Sequence, residues 1–282
     1  MKIITTNLYD FYKLNKPAGA NATVTAYIAD ETIGDIYRKR PAIMVIPGGG
    51  YTHIGLREGE PIAFAFLERG FNAFVFIYTC NKPYPTQQFE ASLAEAYIKT
   101  EFKEYIKPEL AVIGFSAGAH LAACLGAIPT EKLVKDKLDE VPLFKGKDLE
   151  KLLRPDALCL CYPVISGNEN IWHKGSFDTL TGGDNRLIAA LSIENRIDKN
   201  FPPTYVWHTA NDDCVNVLNS VKLVEKLAEY KIPFSYHVYA KGVHGLSLAT
   251  SHLIASDGEL SEGVTGWIDE AVSFLAEQNI RF

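Results

Sequence analysis

The chain has 282 residues, 47% hydrophobic, 22% charged and 11% aromatic, the make-up of an ordinary soluble globular protein with enough length to bury a large core. Lys and Arg number 28 against 34 Asp and Glu, a net charge of −6 without a basic run, so the phosphate-neutralising patch that nucleic-acid binding needs is missing. The longest apolar runs (42–46 and 73–78) are strand-sized, far below the ~18 residues of a membrane span. The opening MKIITTNLYD lacks the apolar core of a secretory signal. Five cysteines (Cys80, Cys124, Cys159, Cys161, Cys214) are an odd number in apolar surroundings, which predicts reduced, buried thiols and a cytoplasmic protein. Cys159 and Cys161 share one face of a predicted strand, and no second pair or His cluster completes a zinc site, so no metal is expected.

In chain order, residues 23–28 predict an edge strand, 42–46 a core strand, 60–68 a helix, 72–78 a strand and 87–104 a helix. Strand 111–115 and helix 117–127 follow, then strands 157–162 and 204–208, helix 219–230, strand 234–239 and helix 266–277. Several of these strands are apolar at nearly every position, as expected where helices cover both faces of a parallel sheet. The alternation predicts one α/β domain over 1–282, with a mostly parallel central sheet and helices on both sides. Two segments break the rhythm. Residues 131–153 are Lys- and Asp-rich with Leu and Val at helical spacing, a predicted surface insertion. Residues 166–185 (SGNENIWHKGSFDTLTGGDN) are polar and Gly-rich, a predicted lid or binding loop.

The strongest chemical signal is Gly114-Phe115-Ser116-Ala117-Gly118 between a predicted strand and a predicted helix. A serine in so tight a turn is backbone-strained and needs small residues two positions to either side. The turn lifts Oγ above the sheet edge and sets the next N–H at a helix N-terminus, where it can stabilise an oxyanion. A chance match in a Gly/Ser loop is the plain alternative, and the strand–helix context argues against it.

Pro47-Gly48-Gly49-Gly50-Tyr51 follows the strand 42–46. Its glycines let backbone N–H groups approach a substrate, so Gly49 and Gly50, with Ala117, are the candidate oxyanion donors. A phosphate loop is disfavoured because neither a Lys-Ser/Thr pair nor the GxGxxG spacing follows; a simple tight turn is the remaining alternative.

Serine needs a base, and the base an orienting carboxylate. Of seven histidines, His244 stands beside Gly245 in a loop after the last predicted strand. Asp212 and Asp213 lie in the loop after the preceding one, so the order Ser, Asp, His is that of an α/β-hydrolase. Adjacent loop residues point different ways, so one Asp is expected to reach the imidazole. His120 is expected to pack under the Ser116 turn, and His208 and His237 to be structural. His53 and His173 lie near the presumed cleft; His252 carries no signal.

These residues carry a resemblance. The sequence resembles the α/β-hydrolase esterases related to bacterial acetyl-xylan esterases and the wider lipase/esterase group with an HGGG-type oxyanion loop. The matching stretches are 47–78, 111–126, 154–166 and 202–249, in the family's order, with GFSAGAHLA and GVHGLSLA the most specific. The resemblance implies that Ser116 is the nucleophile and His244 the base. Its D-x-x-V-P pattern selects Asp212, three residues before Val215, although Asn216 stands where the pattern has Pro. The oxyanion loop begins with Pro47 in place of His. Arg57-Glu58-Gly59-Glu60 matches an REGE stretch, read as an ion-paired helix start beside the cleft.

The resemblance further implies hydrolysis of short-chain, especially acetyl, esters of small molecules or xylo-oligosaccharides, through an acyl-enzyme and without a cofactor. Tyr51, Tyr84, Trp172 and Phe177 would stack on sugar rings or line a lid, with Tyr51 and Trp172 the candidate substrate contacts. With no secretion signal, imported oligosaccharides suit better than polymeric xylan, and no membrane partner is expected. An amidase or aryl formamidase on the same fold is the alternative activity, and a non-catalytic binding module the alternative class. Oligomeric state is left open.

Overall fold

A computed structural model describes residues 1–29, 38–127, 132–250, 253 and 262–281. Eight strands form one sheet: β1 (Lys2–Asn7), β2 (Thr23–Ile28), β3 (Arg40–Ile46), β4 (Asn72–Ile77), β5 (Ile106–Phe115), β6 (Ala157–Cys161), β7 (Thr204–Thr209) and β8 (Phe234–Tyr239), in the order β1-β2-β4-β3-β5-β6-β7-β8. β1 and β2 are antiparallel to their neighbours, and every pair from β4 onward is parallel. This is the α/β-hydrolase arrangement that the order of motifs implied.

Alternation along the strands divides the interior in two. Met44, Val112, Leu158 and Val206 face a core closed by α3 (Thr86–Glu101), α4 (Ala117–Ala127) and α9 (Leu218–Glu229). Ile43, Val45, Ile113, Cys159 and Trp207 face the other, where α2 (Glu60–Glu68) and α10 (Trp267–Glu277) contribute Ile62, Phe66, Ile268 and Phe274. Period-two burial on both faces is why these strands read as continuous apolar runs. All five cysteines are free, and Cys159 and Cys161 lie on the same face. No described helix is long and apolar enough to cross a membrane.

Strand order reverses between β3 and β5, and such a switch point opens a crevice at the carboxyl ends of parallel strands. Ile46 pairs with Gly114, so the loop at Pro47 begins beside the turn at Ser116. Thr209 pairs with Tyr239, so the loops carrying Asp212 and His244 leave the sheet side by side.

Two expectations change. β2 is not the edge; β1 is, and its mostly exposed residues show no apolar period because pairing with β2, not burial, forms it. Residues 166–185 are irregular only in their first part: α7 (Lys174–Thr181) is capped by His173, and α8 (Asn185–Leu191) starts at the end of the segment. The 131–153 segment, read as an insertion with Leu and Val at helical spacing, does hold two helices, α5 (Lys132–Asp139) and α6 (Leu149–Leu153), anchored by buried Val134, Leu138 and Leu153; Glu131 and His252 lie outside the described residues. Between β1 and β2, α1 (Leu8–Phe11) is a single turn capped by Asn7.

Close approach of α4 to β3 holds the Ser116 turn in place. A Cβ on Gly118 would lie 2.3 Å from the carbonyl oxygens of both Ile46 and Pro47, rigid backbone that cannot yield. Gly118→Ala is therefore expected to destabilise the fold by about 1–3 kcal/mol, measured as a lower urea midpoint. An unchanged midpoint would show that the turn has room to spare.

Candidate active site

Ser116 sits between β5 and α4 with φ +53°, in the left-handed region that L-residues rarely occupy. Its N–H donates to the Cys161 carbonyl at 3.0 Å, and its own carbonyl accepts from Ala119, His120 and Val164. The backbone is thus pinned by β6 on one side and α4 on the other.

His244 Nε2 lies 2.8 Å from Ser116 Oγ, and its Nδ1 lies 2.8 Å from Asp212 Oδ2. A carboxylate only accepts, so the ring proton is on Nδ1 and Nε2 is free to take the serine proton. The two aspartates divide the work around this loop: Asp212 meets the ring, while Asp213 Oδ1 accepts from the His244 backbone N–H at 3.2 Å.

Asp212 is saturated with donors. Oδ1 accepts from the N–H groups of Cys214 and Val215 at 2.9 and 2.8 Å, and His208 Nε2 approaches Oδ2 at 3.2 Å. Burial alone would raise its pKa. The hydrogen bonds from His208 and His244, attraction to the His244 ring and the Val215 N–H outweigh burial and hold the carboxyl well below the usual carboxylate range. His208 is structural, as expected, but it also buttresses Asp212: its Nε2 donates to the Val215 carbonyl at 2.9 Å and its Nδ1 pairs with Ser220 Oγ at 2.8 Å. Its position inside a strand hid this contact from the sequence.

Gly49 and Gly50 have φ +121° and +61°, and a Cβ on Gly49 would lie 2.1 Å from the His53 carbonyl oxygen, so only glycine fits this tight loop. Among the described residues none accepts a hydrogen bond from the N–H of Gly49, Gly50 or Ala117. Gly49, Gly50, Ser116 and His244 line one cleft of about 330 Å³, together with His53, His173, Thr52, Arg57 and Cys214. His173 Nδ1 accepts from the Ser176 N–H to cap α7. Burial, then the neighbouring His244, lowers the His173 pKa from its ordinary value.

The aromatic candidates do not line the cleft. Tyr51 is fully buried and its hydroxyl bonds His120 Nδ1 at 2.8 Å, so it offers a substrate no surface. Tyr84 and Phe177 are core residues. Trp172 is half-buried against the core and Phe177, outside the cleft lining. Tyr51, Tyr84 and Phe177 lie inside, where they join the apolar core.

The REGE stretch also differs from its reading as an ion-paired helix start. Glu60 does begin α2, accepting from the Tyr27 hydroxyl. Glu58, in the short 3-10 turn Leu56–Glu58, is instead buried, with Oε2 accepting from the Gly48 N–H at 2.8 Å and Oε1 from the Tyr162 hydroxyl at 2.7 Å.

The BD-FAE family model matches residues 35–227. The chain belongs to the BD-FAE family. It is 33% identical over 261 residues, 89% of its length, to endo-1,4-beta-xylanase B of Butyrivibrio fibrisolvens, of which it covers 39%. It is 24% identical over 219 residues, 74% of its length, to the acetylxylan esterase of Xylanibacter ruminicola, of which it covers 42%. The chain thus spans about two fifths of the length of either curated relative. A crystal structure of an acetyl ester-xyloside bifunctional hydrolase from Caldicellulosiruptor lactoaceticus superposes with a TM-score of 0.81 at 30% identity, covering 99% of this chain and 97% of the other.

Under the Ser116 turn, His120 is fully buried, its Nε2 donating to the Leu191 carbonyl at 2.8 Å. Burial lowers its pKa from 6.5 to about 4 against the pull of that carbonyl. The unfolded chain therefore takes up a proton that the folded chain resists. The stabilisation is complete above about pH 6.5 and is lost as the pH falls toward about 4, on the order of 3 kcal/mol in all. Urea midpoints should drop across that interval, and His120→Gln should shrink the drop. An equal drop in the variant would assign it to other groups.

Proposed function

We propose that this protein is a serine carboxylester hydrolase that cleaves short-chain, above all acetyl, esters, with acetylated xylo-oligosaccharides as its substrate class. The observation that carries the reading is the continuous hydrogen-bond chain from Ser116 Oγ through His244 to Asp212. It opens on a cleft bordered by the Gly49–Gly50 backbone.

The reaction runs in two halves. His244 Nε2 takes the Ser116 proton as Oγ attacks the ester carbonyl, while Asp212 keeps the proton on Nδ1 and stabilises the imidazolium. The N–H groups of Gly49, Gly50 and Ala117 hold the oxyanion, each contributing about 2.7–4 kcal/mol by analogy with measured donors. The tetrahedral species collapses, the alcohol leaves with the proton from His244, and water then repeats the sequence on the acyl-enzyme to release the acid. Activity requires His244 unprotonated and so falls on acidification.

The substrate class rests on two kinds of support. One relative's name is acetylxylan esterase, and the superposing structure is of an acetyl ester-xyloside hydrolase. The cleft, about 330 Å³, is at the small end of the range for ligand pockets, room for a short acyl group, and its Thr52, His53 and His173 suit a hydroxylated alcohol.

Ser116→Ala should abolish hydrolysis of 4-nitrophenyl acetate; a few per cent of residual turnover, with contamination excluded, would contradict the scheme. Asp212→Asn should lower kcat about 10⁴-fold by reversing the tautomer. Asp213→Asn should do far less, because Asp213 meets only the backbone of His244; the opposite ranking would move the carboxylate role to Asp213. Across nitrophenyl esters from acetate to octanoate, kcat/KM should decline with chain length, and acetylated xylo-oligosaccharides should release acetate. Faster turnover of formyl anilides than of acetyl esters would make the protein an amidase.

A further inference from the structure

Glu58 has no part in the chemistry described above, yet it is nine-tenths buried at the meeting point of three loops. Its two carboxyl oxygens are occupied by donors from different segments. The Gly48 N–H, from the loop after β3, donates to Oε2 at 2.8 Å. The Tyr162 hydroxyl, from the end of β6, donates to Oε1 at 2.7 Å. That hydroxyl in turn accepts from the Ser247 N–H at 3.0 Å, in the loop that carries His244. Because the Tyr162 oxygen is the acceptor for Ser247, its proton is the one shared with Glu58. Both carboxyl oxygens are then acceptors, the arrangement that suits the anion.

Tyr162 also touches the imidazole. Its ring meets the His244 ring edge-on, with centroids 5.0 Å apart and planes at 72°. A Cβ on Gly48 would lie 2.9 Å from Glu58 Oε2 and 3.0 Å from Ser116 Cβ, so the carboxylate and the serine are near neighbours across one glycine. The charged and titratable groups around Glu58 are Arg57 on its own turn, Tyr78 after β4, Cys161 and Tyr162 at the end of β6, and His244. Around His244 stand Asp212, Asp213, His173 and Glu58. Burial raises the Glu58 pKa, while Tyr162, Gly48, His244 and Arg57 favour the charged form.

We propose that Glu58 is a positioning residue for ester hydrolysis. It ties the oxyanion-loop backbone at Gly48 to Tyr162 and thereby to the His244 loop, and its charge favours the imidazolium that forms as Ser116 attacks. This rests on the serine-hydrolase reading of the same site. One carboxylate thus fixes the distance between the candidate oxyanion donors and the candidate base, a separation that must hold to within a fraction of an ångström for both to act on one carbonyl.

The test is Glu58→Gln in the full chain, with two readouts. The first is the midpoint of the His244 ring resonance in an NMR pH titration, which needs no activity. The second is kcat and KM for 4-nitrophenyl acetate against pH. Removing the charge is expected to lower the His244 midpoint, and with it the acid limb of kcat/KM, by roughly half a pH unit or more. Misplacing the loops is expected to lower kcat by about 10- to 100-fold with KM changed far less. A lower kcat with an unmoved midpoint would make Glu58 a packing residue and overturn the inference, as would wild-type values of both. If the wild type itself hydrolyses no ester, the serine-hydrolase reading fails, and the NMR midpoint still decides whether Glu58 acts on His244. Should Glu58→Gln not fold, Tyr162→Phe keeps the ring against His244 and removes only the bridging hydroxyl. It is expected to lower kcat about tenfold, and an unchanged kcat would overturn the positioning role.

Discussion

The left-handed backbone of Ser116 is the constraint on which the rest of the site depends. Holding a serine at φ +53° costs on the order of 1–3 kcal/mol, and the surroundings over-determine it. The Cys161 carbonyl takes its N–H, its own carbonyl takes three N–H groups, and Gly114 and Gly118 allow α4 to lie against the ends of β3 and β5 without a Cβ between them. Relaxing φ would break bonds to both β6 and α4. The strain therefore stays at the tip of the turn, where the next N–H, that of Ala117, is left without an intramolecular acceptor among the described residues.

Three histidines close to this turn show how hydrogen-bond partners separate the candidate base from a structural ring. His120 and His208 each place Nε2 against a backbone carbonyl, Leu191 and Val215 respectively, which accepts and never donates. Their tautomers are thereby locked, and each has its other nitrogen on a hydroxyl, Tyr51 or Ser220. His244 has a carboxylate on one side and a hydroxyl on the other, with its side chain 17% exposed. Of these three rings, His244 is the one that can gain a proton on Nε2 while an anion sits against Nδ1. The saturated, buried Asp212 supplies that anion without competing for the proton.

What could be read from the sequence follows from what burial does to residue choice. Strands covered on both faces must be apolar throughout, so β3 to β7 were legible, and β1, held by pairing at an exposed edge, was not. Preference for Asp212 came from its spacing to Val215, and the physical content of that spacing is now visible: the carboxylate folds back onto the N–H groups of residues 214 and 215. Asn216, which departs from the motif, accepts from the Leu218 N–H and so shapes the entry to α9. Glu58 and His208 were illegible for a common reason. Each works through partners distant in the chain or hidden by a strand, and a polar residue at such a position looks like any other until the loops are brought together.

The segment 166–185 shows where sequence polarity misleads. Its composition suggested a loop with aromatic rings turned to the cleft, but Phe177, Leu180 and, just beyond, Ile188 and Leu191 are buried on the α3/α4 side of the sheet. Its polar bonds are structural as well. Asn219 Nδ2 donates to the Ile171 carbonyl at 2.7 Å, the Gly167 N–H reaches Ser192 Oγ at 3.0 Å, and the Tyr84 N–H reaches the Leu180 carbonyl at 2.9 Å. Once the apolar side chains of a short helix are committed to the interior, only its capping turn is left to face the cleft, and His173 and Gly175 are what that turn presents. The polar character of the cleft wall is therefore a consequence of how α7 is anchored, with the His173 ring held in place by the same hydrogen bond that caps the helix.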